Sequence, residues 1–270
     1  MTTVQDHAAP DPAGAADIAS RSSILSMVNV DKIFGRDVTA LKGMNLDVRA
    51  GDFISLLGPS GCGKSTALRL IADLIHPTSG AIRWHVEKAA GALSVVFQEP
   101  SLMPWATVED NVWLPLRLQG RSKSAARQDI DDTLELVGLS NFRGAYPREL
   151  SGGMKMRVSI ALALVTHPKL ILMDEPFAAL DEITRFKLNN DLLTLKEKTG
   201  STVVFVTHSV FESVFLSDRI AIMAARPGRV IRELHVDEPY PRNDIFRTSA
   251  EYAAHCRAAS DALKIAMEAA

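Results

Sequence analysis

Residues 56–74, LLGPSGCGKSTALRLIADL, place three glycines, a lysine and neighbouring hydroxyls between an apolar run and a helical pattern. Gly58, Gly63, Lys64 and Ser65 fit the spacing G-x-x-x-x-G-K-[ST], with Pro59, Ser60, Gly61 and Cys62 between and Thr66 after. Glycines in such a loop let backbone N–H groups turn inward around phosphate oxygens, and the helix that follows aims its positive end at the same charge. Lys64 is then placed to reach the β- and γ-phosphates of a nucleoside triphosphate, and the Ser65 hydroxyl to bind Mg²⁺. A chance glycine-rich turn is the alternative reading. The position between a predicted strand and a predicted helix counts against it, because the mechanism needs that context.

Two carboxylates, Asp174 and Glu175, end the apolar run LILMDEP. The C-terminal end of a buried parallel strand lies on the ligand-binding edge of its sheet. That predicts Asp174 as a Mg²⁺ ligand and Glu175 as the group that polarises an attacking water; an acidic helix cap is the bland alternative. LSGGM, 150–154, is a second small-residue turn that opens a helix, with Met154, Val158, Ala161 and Leu164 at helical spacing. It is another N-terminus suited to an anion. One nucleotide does not need two such ends from one subunit, so the second is expected to serve a neighbour's nucleotide.

These residues require elements to hold them. From Ile24 to Arg49, short β-branched and apolar runs predict two or three strands with turns at Gly35 and Gly43. Asp52 to Leu57 is a strand feeding the glycine loop, KSTALRLIADLI a helix, and Ala92 to Phe97 a strand. Helical segments follow from about Thr107 to Thr166, opened by a capping-box spacing of Thr107 and Asp110. KLILMDEP and STVVFVTHS are too apolar for a half-exposed sheet, and a helical segment separates them. Buried strands alternating with helices predict a parallel α/β sheet. RIAIMAARPGRVIREL reads as a hairpin around Pro227 and Gly228. A last helix opens with Thr248 and Glu251 and carries Tyr252, Cys256, Leu263 and Met267 on one face.

The 270 residues suffice for a sizeable core, and 30 basic residues nearly balance 32 acidic ones, so net charge gives no argument for a nucleic-acid partner. Cys62 and Cys256 are the only cysteines, which suits a reducing compartment better than a disulfide framework. Residues 1–23 have no basic start followed by an apolar core and read as a disordered tail rather than a signal peptide. The longest apolar stretch is broken by Thr166, His167, Pro168 and Lys169 before it reaches the roughly 18 residues of a membrane helix. The histidines other than His208 show no metal-ligand spacing.

The ordered series GPSGCGKST, FQEP, LSGGM, LILMDEP, ALD and VTHS resembles the nucleotide-binding subunit of an ATP-binding cassette (ABC) transporter, over roughly residues 24–235. The resemblance implies a P-loop NTPase with a parallel core sheet, an N-terminal antiparallel β subdomain and an inserted helical signature subdomain at about 101–166. A C-terminal extension with a helix follows at 236–270. It implies a cytoplasmic ATPase that hydrolyses ATP with Mg²⁺ and dimerises around two nucleotides. Each site would join one chain's Lys64, Ser65, Asp174, Glu175 and His208 to the other's Ser151, Gly152, Gly153 and Met154. By resemblance, Gln98 senses Mg²⁺ and water, Asp181 communicates across the dimer, His208 contacts the γ-phosphate, and Phe34 stacks on adenine.

The implied partners are a second ATPase subunit, transmembrane permease subunits on the cytoplasmic side of the inner membrane and, indirectly, a solute-binding protein. Gln98 and the adjoining SLMPW would form the permease surface. FQEPSLMPWATVEDNV, PFAALDEITR, THSVFESVFLSDRI and MAARPGR are similar to the importers for nitrate, sulfonates, taurine and related solutes. Met156, Leu162 and Asp73 depart from the family's usual glutamine, arginine and glycine. A DNA-repair or chromosome-type ATPase is a rival, but it has half-motifs separated by a long coiled coil, whereas about 85 residues separate Lys64 from Ser151 here. An exporter and a non-transport nucleotide-binding regulator are the others; the first would carry membrane helices in the same chain, and Glu175 with His208 counts against the second.

Overall fold

The computed structural model describes residues 21–35 and 37–268. Residues 1–20, most of the expected tail including His7, lie outside the described residues. Residues 21–23 correct the tail boundary. Arg21 donates to the Gly51 carbonyl at 3.2 Å, Ser22 accepts from Ala50 N–H, and Ser23 starts the first strand.

Two sheets organise the chain. The smaller is antiparallel, in the order β2 (Val38–Arg49), β1 (Ser23–Phe34), β4 (Ser79–Trp84). The larger has six strands, in the order β5 (Leu93–Val96), β6 (Leu170–Asp174), β7 (Thr202–Thr207), β3 (Phe53–Leu57), β8 (Arg219–Ala224), β9 (Arg229–His235). Its first five strands run parallel and β9 closes one edge antiparallel to β8. Gly43, predicted at a turn, lies inside β2 at φ +58°. There Val30 pairs with Met44 and Lys32 with Leu41, so β2 takes one extra residue in a bulge.

Every residue of β3 and β7 is buried, because both faces of the larger sheet are covered. Successive side chains of β3 alternate between two cores: Phe53 and Leu57 join the helical side, Ile54 and Leu56 the side of the small sheet. α1 (Lys64–Ile71) packs on the small-sheet side. On the other side pack α2 (Val108–Leu118), α3 (Arg127–Leu136), α4 (Gly152–Leu164), α5 (Glu182–Thr199), α6 (Val210–Leu216), the short α7 (Asp244–Arg247) and α8 (Ala250–Glu268).

Two capping expectations change in detail. Thr107 Oγ1 does cap α2 by accepting from Asp110 N–H at 3.2 Å, but the Asp110 carboxylate turns onto the Thr107 hydroxyl instead of the backbone N–H of a capping box. At α8 the cap is Ser249, whose Oγ accepts from Tyr252 N–H at 3.0 Å, rather than Thr248. The buried face of α8 is Tyr252, Cys256, Ala259, Ala262 and Ala266, with Leu263 half-buried and Met267 exposed. Small alanines let the helix approach its neighbours closely, whereas the sequence reading followed the larger side chains. Asp73 sits at φ +61°, the conformation that glycine adopts freely, and Lys88 holds its carboxylate at 2.8 Å.

Candidate functional site

Strand register assembles the site. Leu57 of β3 pairs with Thr207 of β7, and Val206 of β7 pairs with Asp174 of β6. Three parallel strands therefore end level, and the residues just beyond them, Gly58, Glu175 and His208, emerge on one edge. β3 is also where the strand order reverses, the place at which open α/β sheets bind ligands.

The glycine loop leaves β3 and enters α1. Its last glycine, Gly63, has φ +94°, and a Cβ there would stand 2.6 Å from Leu41 Cδ2 and 2.9 Å from the Ala40 carbonyl oxygen. Only glycine accommodates both the conformation and the approach. The loop borders a cleft of about 560 Å³ lined by Ser60, Gly61, Gly63, Lys64, Ser65, Thr66 and Glu175. Gly58, Pro59 and Cys62 form the back of the loop. Lys64 Nζ donates to the Gly58 and Pro59 carbonyls at 2.9 and 3.0 Å, while burial pushes the Cys62 thiol up from its usual range.

Lys64 Nζ also stands 3.7 Å from Glu175 Oε1, and Glu175 Oε2 accepts from His208 Nδ1 at 3.0 Å. Glu175 has φ +47°, an uncommon conformation for a non-glycine residue, and its N–H donates to the Val206 carbonyl at 3.0 Å. Such strain costs on the order of 1–3 kcal/mol and clusters at functional sites.

Ser65 Oγ donates to Asp174 Oδ1 at 2.7 Å. Burial raises the Asp174 carboxyl above the usual range, with the Ser65 hydrogen bond opposing and the Glu175 charge adding to the rise. A desolvated carboxylate beside a hydroxyl suits a divalent cation. Mg²⁺ commonly takes one or two protein oxygens and completes its shell with phosphates and water. Among the described residues there is no group of three or more His, Cys, Asp or Glu side chains that could hold a metal without such added ligands.

Other candidate residues lie apart from this cleft. Ser151 caps α4, accepting from Met154 N–H at 3.3 Å, and a Cβ on Gly153 would meet Thr184 Cγ2 at 2.7 Å. Ser151, Gly153 and Met154 line a separate groove with Arg157, Thr184, Lys187 and Leu188, and Gly152 faces Leu180. Asp181 caps α5 by accepting from Thr184 N–H at 3.0 Å, which holds its carboxyl below the usual range. Gln98 is exposed after β5 and is not among the residues lining the cleft. Phe34 is half-exposed at the end of β1, beneath Lys32 Nζ at 5.0 Å from its ring centroid.

Within SLMPW, Trp105 is 77 % exposed, but Leu102 packs partly buried on the core and Met103 is half-buried. The sequence reading missed Asp37, Val38, Thr39, Ala40 and Arg226, which form the opposite wall of the cleft. The β8–β9 hairpin reaches the loop through Gly228, whose N–H donates to the Ala40 carbonyl and whose Cβ would lie 2.1 Å from the Cys62 carbonyl oxygen. The segment MAARPGR was the only signal for that contact.

A family model described as "ABC transporter" matches residues 41–178. The chain is 42% identical to the nitrate import ATP-binding protein NrtD of Synechocystis sp., over 84% of this chain and 89% of that one. It is 44% identical to the aliphatic sulfonates import ATP-binding protein SsuB 2 of Pseudomonas syringae pv. tomato, over 80% and 89% respectively. Among solved structures it superposes on a dimeric, post-hydrolysis ATP-binding cassette bound to ADP and Pi. The TM-score is 0.68 at 34% identity, covering 78% of this chain and 98% of that one.

Proposed function

The chain belongs to the ABC transporter family, and we propose that it is the ATP-hydrolysing subunit of an importer for a small solute such as nitrate, a sulfonate, taurine or a related compound. The nitrate and sulfonate import relatives support the transport role and the solute class. Among the described residues no helix is long and apolar enough to cross a membrane. In the proposed importer, permease subunits would supply the membrane path and hold this chain at the membrane. The proposed body for hydrolysis spans 24–235, with 101–166 as the signature subdomain and 236–270 as an extension.

In this reading the loop from Gly58 to Thr66 wraps the phosphates, with Lys64 turning from the Gly58 and Pro59 carbonyls to the β- and γ-phosphoryl oxygens. Ser65, Asp174 and Gln98 would hold Mg²⁺. Bound Mg²⁺ would supply neutralisation of the charge that develops on the phosphoryl oxygens. Glu175 orients the attacking water and accepts its proton, while His208 holds the Glu175 carboxylate on one side and faces the γ-phosphate on the other. Phe34 lies at the adenine end. Ser151 to Met154 reach the nucleotide of a second copy, and Asp181 carries its state between protomers.

The observation that supports this best is the convergence at the sheet edge on Glu175, whose two carboxylate oxygens lie 3.7 Å from Lys64 Nζ and 3.0 Å from His208 Nδ1. Isothermal titration of the full chain with ATP and Mg²⁺ tests it. Lys64→Ala is expected to weaken binding by at least about a hundredfold, the scale of one or two charge-assisted hydrogen bonds of about 1.5–3 kcal/mol each. Unchanged affinity in a folded variant contradicts the reading.

A further inference from the structure

Behind the Glu175–His208 pair lies a buried carboxylate that the scheme above does not use. Glu212, 7 % exposed, lies in the first turn of α6. Its Oε2 accepts from Thr207 Oγ1 at 2.6 Å, and that hydroxyl in turn accepts from Ser209 N–H at 3.0 Å. Glu212 N–H donates to Ser209 Oγ at 3.3 Å. His208 is therefore bracketed by two residues, each tied to the first turn of α6.

The other side of the same carboxylate faces α5. Glu212 Oε1 stands 3.6 Å from Arg185 Nε, and the Arg185 guanidinium donates to the Leu180 carbonyl at 3.0 Å. Leu180 immediately precedes Asp181, in the segment that begins at Glu175. Two loops that leave the adjacent strands β6 and β7 are thus joined through one buried group. The join borders a cavity of about 470 Å³ that Glu182, Asn189 and Phe211 also line. Burial pushes the Glu212 carboxyl up, opposed by the Thr207 hydroxyl and the Arg185 charge.

Stability is a weak reason for such a group, since buried ion pairs are often replaced by apolar side chains at little cost. Geometry is a better one: a carboxylate held by a hydroxyl on one oxygen and facing a cation on the other fixes the spacing of whatever carries those partners. We propose that Glu212 is a positioning residue for hydrolysis. Through Thr207 it sets the turn that bears His208, and through Arg185 it sets the Leu180–Asp181 segment, so that the Glu175–His208 contact moves together with Asp181.

The inference rests on the reading of Glu175 and His208 as the hydrolytic pair. Steady-state ATP hydrolysis by the full chain tests it with four single variants and one double variant. Thr207→Val keeps shape and removes the hydroxyl, Thr207→Ser restores it, Glu212→Gln removes the charge at constant size, and Arg185→Met removes the cation. Displacement of a reacting group by about 1 Å can cost about a hundredfold. Thr207→Val and Glu212→Gln are therefore expected to lower kcat at least about tenfold, with KM for ATP within about twofold. Thr207→Ser is expected to stay near the wild type. The double variant Arg185→Met, Glu212→Gln is expected to be no slower than the slower single one, because the two act as a unit.

Wild-type kcat in Thr207→Val overturns the proposal, as does a KM that rises in step with the fall in kcat/KM, or multiplicative effects of Arg185 and Glu212. If Thr207→Val does not fold, as judged by its melting profile, the isosteric Glu212→Gln decides on the same criteria. Retention of full turnover by Glu175→Gln would defeat the hydrolytic reading itself. An inactive Glu175→Gln beside a fully active Thr207→Val and Glu212→Gln would defeat the positioning role alone.

Discussion

Asp174 shows how a residue suited to a charged ligand is held at a cost to the free protein. Its folded-state carboxyl is raised, chiefly by burial, so protonation is easier in the folded chain than in the unfolded one. The charge therefore opposes folding at pH above the raised value, and the penalty disappears as pH falls below the ordinary carboxylate range. Asp174→Asn keeps an acceptor for Ser65 Oγ and removes the charge. In nucleotide-free protein without divalent cation it is expected to raise Tm at pH 8, with the gain shrinking toward pH 4. Thermal melts across that range check it; a gain that grows on acidification would reverse the sign. The same residues were legible in sequence because type and spacing alone define them: glycines before Lys64 and Ser65, and carboxylates ending a buried strand. Arg226 and Val38 to Ala40 were not, since their place in the cleft depends on long-range contacts, such as Gly228 with Ala40, that no local spacing reports.

Elements follow the hydrophobic pattern where one side chain type dominates and depart from it where backbone geometry or small residues decide. β3, β6 and β7 were evident as apolar runs, whereas the Gly43 bulge and the alanine face of α8 needed the partner strand and the partner helices. Arg242 is the clearest case of an unread residue that holds elements together. It is 4 % exposed, and its guanidinium donates to the carbonyls of Val214, Phe215 and Ser217 at the end of α6 and to those of Val236 and Glu238. The first three are carbonyls at the helix C-terminus, where the last turn leaves acceptors without intrahelical partners. The extension after β9 is thereby tied to the helix that follows His208. Arg242→Ala would bury several acceptors without donors, at about 1–3 kcal/mol each. A loss of at least about 3 kcal/mol of unfolding free energy is expected by urea denaturation; a loss under about 1 kcal/mol would mean that water replaces the guanidinium fully.

At the scale of the whole molecule, the P-loop cleft and the Ser151–Met154 groove share no lining residue, as the proposed division of each site between two chains requires. Trp105, 77 % exposed while its neighbours Leu102 and Met103 are drawn partly into the core, leaves an aromatic side chain outside both. Trp105→Ala is expected to reduce co-purification with the proposed permease subunits by at least about tenfold, in line with an interface anchor of about 2 kcal/mol or more. ATP affinity should be unchanged; equal recovery of the complex would assign the surface elsewhere. The order of motifs, and the expectation that LSGGM serves a second chain, were legible without coordinates, but the lining of the groove by Thr184, Lys187 and Leu188 was not, because it depends on how α4 and α5 pack against each other.

The composite site is the central claim, and one measurement reaches it most directly. Glu175→Gln keeps size and removes the charge of the group assigned to activate water, a role worth about 10²- to 10⁴-fold in rate. Analytical size-exclusion of this variant with ATP and Mg²⁺ is expected to show a dimer that is absent without nucleotide, and adding Ser151→Arg, a bulky cation in the signature turn, should return it to monomer. A double variant that dimerises as well as Glu175→Gln alone would contradict a site shared between two chains.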